Sequence, residues 1–145
     1  DHLEEISNED LEILKGSNCM PTLLPSCSFF LDMKYSDARK IIDYGLPVAL
    51  ATDYNPGSSP SCNMNFVGSL ACIKLKMTPN EVLNAMTINS AYAMGVEDEL
   101  GSICIGKKAN FFITKNISSI EFIPYSFGEN LIQKVFLNGK EQNSL

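Results

Sequence analysis

The chain has 145 residues, a formal net charge of −6, and 45% hydrophobic and 19% charged residues. This length suits one compact unit, and this composition supplies enough apolar surface for a buried core. An acidic chain offers little positive charge to phosphates, so we expect no nucleic-acid partner and no membrane partner. No apolar run approaches the roughly 20 residues of a transmembrane helix, and the acidic, polar residues 1–15 are unlike a signal peptide. These features predict a cytoplasmic protein.

The five cysteines and the single histidine are informative about context. The cysteines are odd in number and scattered, and none forms a Cys-x-x-Cys pair, which favours reduced, buried thiols over disulfides or a metal cluster. The chain opens on Asp1-His2-Leu3 without a methionine. We therefore expect it to be a piece of a longer protein.

The first half of the chain alternates between helix and strand signals. Ser7, with Asp10 at the third helical position, predicts a helix start, and Gly16 can end that helix. The apolar segment 19–31 is interrupted by two prolines, which predicts a buried strand running into a loop.

A second helix and a second strand follow in the same order. Ser36 is predicted to cap a helix that Gly45 closes. The continuous apolar run 46–52 is typical of a buried strand in a parallel sheet. This alternation indicates an α/β fold in which 20–24 and 46–52 are parallel neighbours.

Three helix signals come next. Residues 63–77 predict a longer helix. Thr78, followed by proline and by Glu81, forms a strong capping box that opens a helix to about residue 86. Residues 87–95 predict a short helix that ends at a glycine.

The pattern changes near residue 100. Residues 101–114 alternate between apolar and polar and are punctuated by glycine, while 131–142 contains the Asn138-Gly139 dipeptide of a tight hairpin turn. These segments predict antiparallel strands. We accordingly divide the chain into residues 1–98 and 99–145.

Asp53 is the first candidate functional residue, because it ends the buried run 46–52. Chemistry in parallel α/β proteins gathers at the carboxyl ends of strands, and a carboxylate buried there needs a cation, hydrogen-bond donors or a metal. A turn cap or a structural salt bridge would satisfy it equally well. The loop 55–59, Asn-Pro-Gly-Ser-Ser, could be a plain turn or could grip an anionic or amide-bearing ligand. Spacing alone leaves these alternatives open.

Four stretches carry a resemblance to a known family: VALATDYNPGSSPS, ACIKLKMTPNEVLNAMTINSAYAMG, GSICIGKKANFFIT and IPYSFGENLIQKVFLNGK. Together they resemble the imidazolonepropionases, a family of the amidohydrolase superfamily, over essentially the whole chain. ATDYNPGSSP is specific to that family, whereas the GSI and GKKAN pieces are shared across the superfamily.

The resemblance implies a (β/α)8 TIM-type barrel beside a small β-sandwich, of which this chain would be the C-terminal third. The implied activity is metal-dependent hydrolysis of the cyclic amide of 4-imidazolone-5-propanoate to N-formimidoyl-L-glutamate in histidine degradation. The implied cofactor is one divalent metal, zinc or iron, held by a His-x-His pair, a further histidine and an aspartate. The substrate is a small molecule, and the family is compatible with a homodimer.

Residue by residue, Asp53 matches the metal-binding aspartate. A carboxylate that binds a metal can also accept a proton from the attacking water, whose pKa the ion lowers. His2 matches a histidine near the metal that orients or polarises the water or the ring carbonyl. Asn55, Gly57 and Ser58 match the positions that contact the substrate.

A chain with one histidine cannot supply the remaining ligands, so we expect the isolated chain to be inactive and to hold no tight metal. Two alternatives remain open. The protein could be another hydrolase or a deaminase of the superfamily, or a small non-catalytic α/β module that holds an anion in the 55–61 loop. The upstream reading frame discriminates, since a His-x-His motif there favours the enzyme.

Overall fold

The structure is a computed structural model, and it describes residues 1–142. Helices surround a two-stranded parallel sheet, and a three-stranded antiparallel sheet follows. In chain order the elements are α1 (Asn8–Lys15), β1 (Thr22–Leu23), α2 (Pro25–Phe30), α3 (Ala38–Asp43), β2 (Ala49–Leu50), α4 (Met64–Ile73), α5 (Pro79–Met86), α6 (Ile88–Ala93), β3 (Phe111–Thr114), α7 (Phe122–Tyr125), β4 (Ile132–Leu137) and β5 (Lys140–Gln142). Within residues 1–142 no helix combines the length and the apolar character needed to cross a membrane.

Both predicted capping boxes are confirmed. The amide of Asp10 donates to Ser7 Oγ at 3.1 Å, and the amide of Ser7 donates to the Asp10 carboxylate at 3.0 Å. Thr78 and Glu81 make the equivalent pair of bonds at the start of α5. Each box satisfies backbone donors that the first turn of a helix leaves without partners.

The parallel pairing is also confirmed. Thr22 lies opposite Ala49 and Leu23 lies opposite Leu50. Each strand is two residues long, shorter than the predicted 20–24 and 46–52. Asp53 follows β2 at the carboxyl edge of this sheet.

Two local predictions in the first half are wrong. Pro25 does not lead into a loop but starts α2, because proline at the first helical position lacks only a donor that would have no partner there. Ser36 does not cap α3. The cap is Asp37, whose side chain accepts from the amide of Lys40 at 2.9 Å, while Ser36 donates to the carbonyl of His2 at 2.5 Å.

Of the three helices in the middle segment, α5 ends at Met86 as predicted, whereas α4 and α6 are shorter than predicted. α4 begins after Asn63, whose side chain accepts from the amide of Phe66 at 3.1 Å, and it ends at Ile73 rather than at residue 77. α6 ends before Gly95, which adopts a left-handed φ of +67° that glycine accommodates without strain.

The apolar core lies between the parallel sheet and the helices around it. Its fully or nearly fully buried members come from α1, β1, α3, β2, α4 and α5 and from the segments between them: Leu11, Leu23, Ala38, Ile41, Leu46, Val48, Leu50, Val67, Ala71, Leu75, Met77, Val82 and Ala85. This packing fixes β2, and with it the position of Asp53.

The cysteines correct one prediction. All five are free thiols in the part of the chain that the structure describes. Cys27 alone is buried and Cys72 is half-buried, whereas Cys19, Cys62 and Cys104 are exposed. The expectation of buried thiols therefore holds only for Cys27.

The antiparallel sheet has the order β3-β4-β5. The predicted Asn138-Gly139 turn connects β4 to β5, with φ of +51° and +74° at its two central residues. The predicted strand over 101–114 is confirmed only at Phe111–Thr114, because turns and irregular backbone occupy 101–110.

Short α7 packs on α4, where Ser69 Oγ donates to the carbonyl of Pro124 at 2.7 Å. The division at residues 98 and 99 stays a prediction.

Candidate active site

The Asp53 carboxylate is presented by an unusual backbone conformation. Asp53 is half-buried and has a φ of +52°, in the left-handed region that residues other than glycine rarely adopt. The loop after it folds back at once, since the amide of Asn55 donates to the carbonyl of Ser59 at 3.1 Å. The strand end and this closed loop hold the carboxylate at the edge of the sheet.

Asn55 organises the loop from inside. Its side-chain oxygen accepts from the amides of Gly57 and Ser58, at 2.9 and 2.8 Å. Its side-chain nitrogen donates to the carbonyl of Asp53 at 2.6 Å and to Ser58 Oγ at 2.8 Å. This is the side-chain-to-backbone bonding that makes asparagine a turn residue. The loop is therefore built by its own residues.

The structure brings together four of the residues that the sequence singled out, namely Asp53, Asn55, Gly57 and Ser58. Ser58 Oγ lies 3.3 Å from Asp53 Oδ2 and 3.1 Å from Asn55 Oδ1. Its single hydroxyl proton can go to either acceptor or to a ligand. Contact of these residues with a substrate remains a prediction.

His2 lies in a second polar group. Its Nδ1 is 3.4 Å from Glu4 Oε1, and the same carboxylate oxygen accepts from Ser28 Oγ at 3.3 Å. The backbone is held as well, because the His2 carbonyl accepts from Ser36. The side chain of His2 is 40% exposed, whereas that of Glu4 is 12% exposed. His2 therefore has one ring nitrogen held and a surface open to a ligand.

Cys27 lies within electrostatic reach of both groups, and no sequence pattern marked it as functional. Burial raises the pKa of the Cys27 thiol, and Asp53 and Glu4 raise the pKa further, while a hydrogen bond with Ser58 opposes the rise. The raised pKa keeps this thiol protonated at neutral pH. The sequence feature that could have identified Cys27 is its position shortly after β1, at the same sheet edge as Asp53.

The described residues offer one side chain suited to binding a metal ion at this edge, and not the full set of ligands that a metal centre needs. Among residues 1–142, no group of three His, Cys, Asp or Glu side chains is placed to hold a metal ion. Asp53 is the carboxylate at the sheet edge, and the side chain that hydrogen bonds with its carboxylate within residues 1–142 is the uncharged Ser58. A catalytic zinc site normally takes three protein ligands, so further ligands would have to come from outside this chain.

A half-buried carboxylate at the carboxyl edge of a parallel sheet, backed by helices, is the arrangement of α/β enzymes. The particular family follows from sequence comparison. The profile described as the amidohydrolase family matches residues 2–141, and the chain belongs to that family.

Within this family, the chain is most usefully compared with curated relatives that are imidazolonepropionases. The chain is 61% identical to an imidazolonepropionase of Christiangramia forsetii over 97% of this chain and 34% of the relative. The figures for the imidazolonepropionase of Flavobacterium johnsoniae are the same, and that of Alkaliphilus oremlandii is 49% identical over 97% of this chain and 33% of the relative. The chain thus spans about a third of the length of these proteins.

Solved structures share the fold at low identity. An adenosine deaminase from Xanthomonas campestris, described with bound zinc, superposes with a TM-score of 0.88 at 19% identity, over 97% of this chain and 35% of that one. An Escherichia coli guanine deaminase gives a TM-score of 0.83 at 16% identity, over 99% and 38%. These likenesses show that the chain shares the fold of those enzymes, in agreement with the family match over residues 2–141.

Proposed function

We propose that the full-length protein containing this chain hydrolyses the cyclic amide of 4-imidazolone-5-propanoate to N-formimidoyl-L-glutamate. The observation that carries the proposal is the cluster of Asp53, Asn55 and Ser58 at the sheet edge, in a chain 61% identical to imidazolonepropionases. The substrate is then a small molecule, and the reaction belongs to histidine degradation. We further propose a cytoplasmic protein that can form homodimers.

The fold proposal follows the same logic. Residues 1–98 would form the C-terminal portion of a (β/α)8 barrel, and residues 99–145 would supply C-terminal strands of a β-sandwich. The parallel β1-β2 pair with outer helices supports the first part, and the antiparallel β3-β4-β5 sheet supports the second.

Asp53 would be the metal ligand contributed by this chain. A bound divalent ion, zinc or iron, supplies Lewis-acid chemistry that polarises a carbonyl and lowers the pKa of water. The zinc described for the Xanthomonas campestris deaminase supports a metal of this kind. Asp53 would also accept the proton of the attacking water, because its carboxylate lies at the sheet edge and its hydrogen-bond partner in the described chain is the uncharged hydroxyl of Ser58.

His2 would orient or polarise the attacking water or the ring carbonyl. Glu4 holds its Nδ1, which leaves Nε2 to donate to or accept from the substrate. Asn55, Gly57 and Ser58 would bind the substrate through the loop. Because Asn55 already occupies the amides of Gly57 and Ser58, the Ser58 hydroxyl is the loop group with hydrogen-bonding capacity to spare.

The test uses the full-length protein, purified with its metal. Incubation with 4-imidazolone-5-propanoate should remove the ultraviolet absorbance of the ring and give a product heavier by one water, with no release of ammonia. A deaminase of the same superfamily would release ammonia instead. No consumption of this substrate, at full metal occupancy, would overturn the proposal.

A further inference from the structure

The outer edge of β2, on the side away from β1, is held by side chains rather than by a strand in the described chain. The amides of Ala49 and Ala51 face β1, donating to Pro21 and Leu23 at 2.8 and 3.2 Å. Successive residues of a strand alternate their backbone groups between its two edges. The carbonyls of the residues between and around these two therefore point the other way.

Three of those carbonyls have a side-chain donor each. Asn89 Nδ2 donates to the carbonyl of Val48 at 2.8 Å, Ser90 Oγ reaches that of Leu50 at 3.0 Å, and Ser59 Oγ donates to that of Thr52 at 2.6 Å. The donors come from the start of α6 and from the loop after Asp53. The contacts of Asn89 and Ser90 join residues 41 and 40 positions apart, whereas Ser59 lies only seven residues from Thr52.

The three contacts differ in strength. The hydroxyl of Ser90 has one proton and a shorter alternative acceptor, the carbonyl of Ala85 at 2.6 Å, so its bond to Leu50 is shared. Asn89 and Ser59 carry undivided bonds. Ser59 is 1% exposed, so removing its hydroxyl would leave a buried carbonyl without that partner.

Ser59 also brackets the strained residue of the site. Its hydroxyl holds the carbonyl immediately before Asp53, and its own carbonyl accepts from the amide of Asn55, two residues after Asp53. A left-handed φ of +52° at an aspartate costs free energy and persists only where the surroundings enforce it. The bonds of Ser59 on both sides of Asp53 provide that enforcement.

We propose that Ser59, with Asn89, is a positioning residue that holds the Asp53 carboxylate in place through the carbonyls of Thr52 and Val48, which flank β2. The inference rests on the proposed role of Asp53 as a metal ligand, and its kinetic readout rests also on the proposed reaction, whereas metal retention can be measured without any substrate. Neither residue would touch the reacting atoms, since both act through the backbone on either side of β2.

The test compares Ser59→Ala with Ser69→Ala in the full-length, zinc-loaded protein. Ser69 is a suitable control, because it is also 1% exposed and donates to a backbone carbonyl, that of Pro124 in α7 at 2.7 Å, with the carbonyl of Asn65 at 3.1 Å as its longer alternative. Three quantities are measured for each variant: Tm, the rate of zinc transfer to excess chelator, and kcat and KM with 4-imidazolone-5-propanoate.

Both variants should lower Tm to a similar extent, since each loses one buried hydrogen bond. Ser59→Ala alone should release zinc faster and should lower kcat about 10–100-fold with little change in KM, the cost of misplacing a reacting group. Ser69→Ala should leave the zinc-release rate and kcat unchanged. Equal zinc release and equal kcat in the two variants would overturn the inference.

Asn89→Ala provides a second test from a different element, and it applies if Ser59→Ala does not fold. It should also speed zinc release relative to Ser69→Ala, and an unchanged rate would count against the inference. If the wild-type protein leaves 4-imidazolone-5-propanoate intact but Ser59→Ala still releases zinc faster, the proposed function fails and the positioning role stands.

Discussion

Ser58 Oγ lies 3.3 Å from Oδ2 of Asp53, so the first hydroxyl of the loop hydrogen bonds with the carboxylate that ends the strand. Asn55 bridges the same two residues, donating to the carbonyl of Asp53 and to Ser58 Oγ. The carboxylate and the loop therefore form one hydrogen-bonded unit. Because their proposed roles differ, substitution of Asp53 should mainly affect kcat and substitution of Ser58 should mainly affect KM.

Asp53→Asn keeps the shape of the side chain and removes its charge and its capacity to accept a proton. If Asp53 is both metal ligand and base, kcat in the full-length protein should fall by roughly 10²–10⁴-fold, the usual effect of losing a general base. Metal content, measured by elemental analysis, should fall less, because the proposed histidine ligands outside this chain would remain. Asp43→Asn, at an exposed surface ion pair, is the control and should keep normal turnover. Near-normal turnover of Asp53→Asn would show that the catalytic assignment is wrong.

Ser58→Ala should mainly raise KM. A hydroxyl that binds the substrate equally in the ground and transition states contributes little to kcat, and its loss should cost about 1–2 kcal/mol, which is about 5–30-fold in KM. Steady-state kinetics over a range of substrate concentrations measure this. Ser61→Ala, at an exposed serine further along the loop, should leave KM unchanged. A large fall in kcat for Ser58→Ala would instead place Ser58 in the chemical step.

The ion pair between Arg39 and Glu81 predicts a pH-dependent contribution to stability. The two guanidinium nitrogens of Arg39 bind the two carboxylate oxygens of Glu81, each at 2.9 Å, and the amide of Thr78 donates to the same carboxylate. Hydrogen bonding from Arg39, and then from Thr78, lowers the pKa of Glu81 from 4.5 to about 2. A depressed carboxyl pKa means stability that is present above 4.5 and is lost as the pH falls towards 2.

We therefore expect Glu81→Gln to lower the free energy of unfolding at neutral pH by about 1–2 kcal/mol, a value reduced for solvent screening of a pair about one-third exposed. The difference from wild type should shrink as the pH falls from 4.5 to about 2. Denaturant unfolding at several pH values measures it. The control is Glu141→Gln, which removes the half-exposed pair with Lys134 and should change stability little. A pH-independent difference for Glu81→Gln would contradict the ion-pair explanation.

Gly101 and Gly106 form a matched pair for testing the packing of α6. Both have a left-handed φ, +86° and +96°. A Cβ on Gly101 would come within 2.6 Å of Ala91 Cβ and 2.9 Å of Ile88 Cα, whereas nothing lies within 4 Å of one on Gly106.

Gly106→Ala should therefore cost only the backbone strain, about 1 kcal/mol. Gly101→Ala should cost roughly 1–3 kcal/mol more, because α6 must shift to make room. Thermal unfolding of the two variants gives the comparison. Equal losses would mean that α6 is not tightly packed against Gly101.

The isolated 145-residue chain should bind no stoichiometric metal and show no imidazolone hydrolysis. The described residues place no three metal-ligating side chains together, so Asp53 alone cannot retain an ion against a chelator. Elemental analysis after purification checks this, with the full-length protein as control. One firmly held zinc or iron per chain would contradict it.

Features whose interacting residues are close along the chain can be predicted from the local pattern of residues. The capping box of Ser7 and Asp10 and the Asn138-Gly139 turn depend on residues within one turn of backbone, so the local pattern predicts them correctly. The position of Asp53 was also predictable, because a continuous apolar run is long enough to be buried and the carboxylate must emerge at its end.

Contacts between distant segments select the hydrogen-bond partner of a polar side chain when several local partners are available to it. Ser36 has the sequence position of a helix cap, yet it donates to His2, 34 residues away, and Asp37 takes the cap instead. Asn89 lies in a short helix and donates to Val48, 41 residues away. One hydroxyl or amide can serve only a few acceptors, and which acceptor is near is set by the packing of the core. That packing brings distant segments together in a way that no local pattern records.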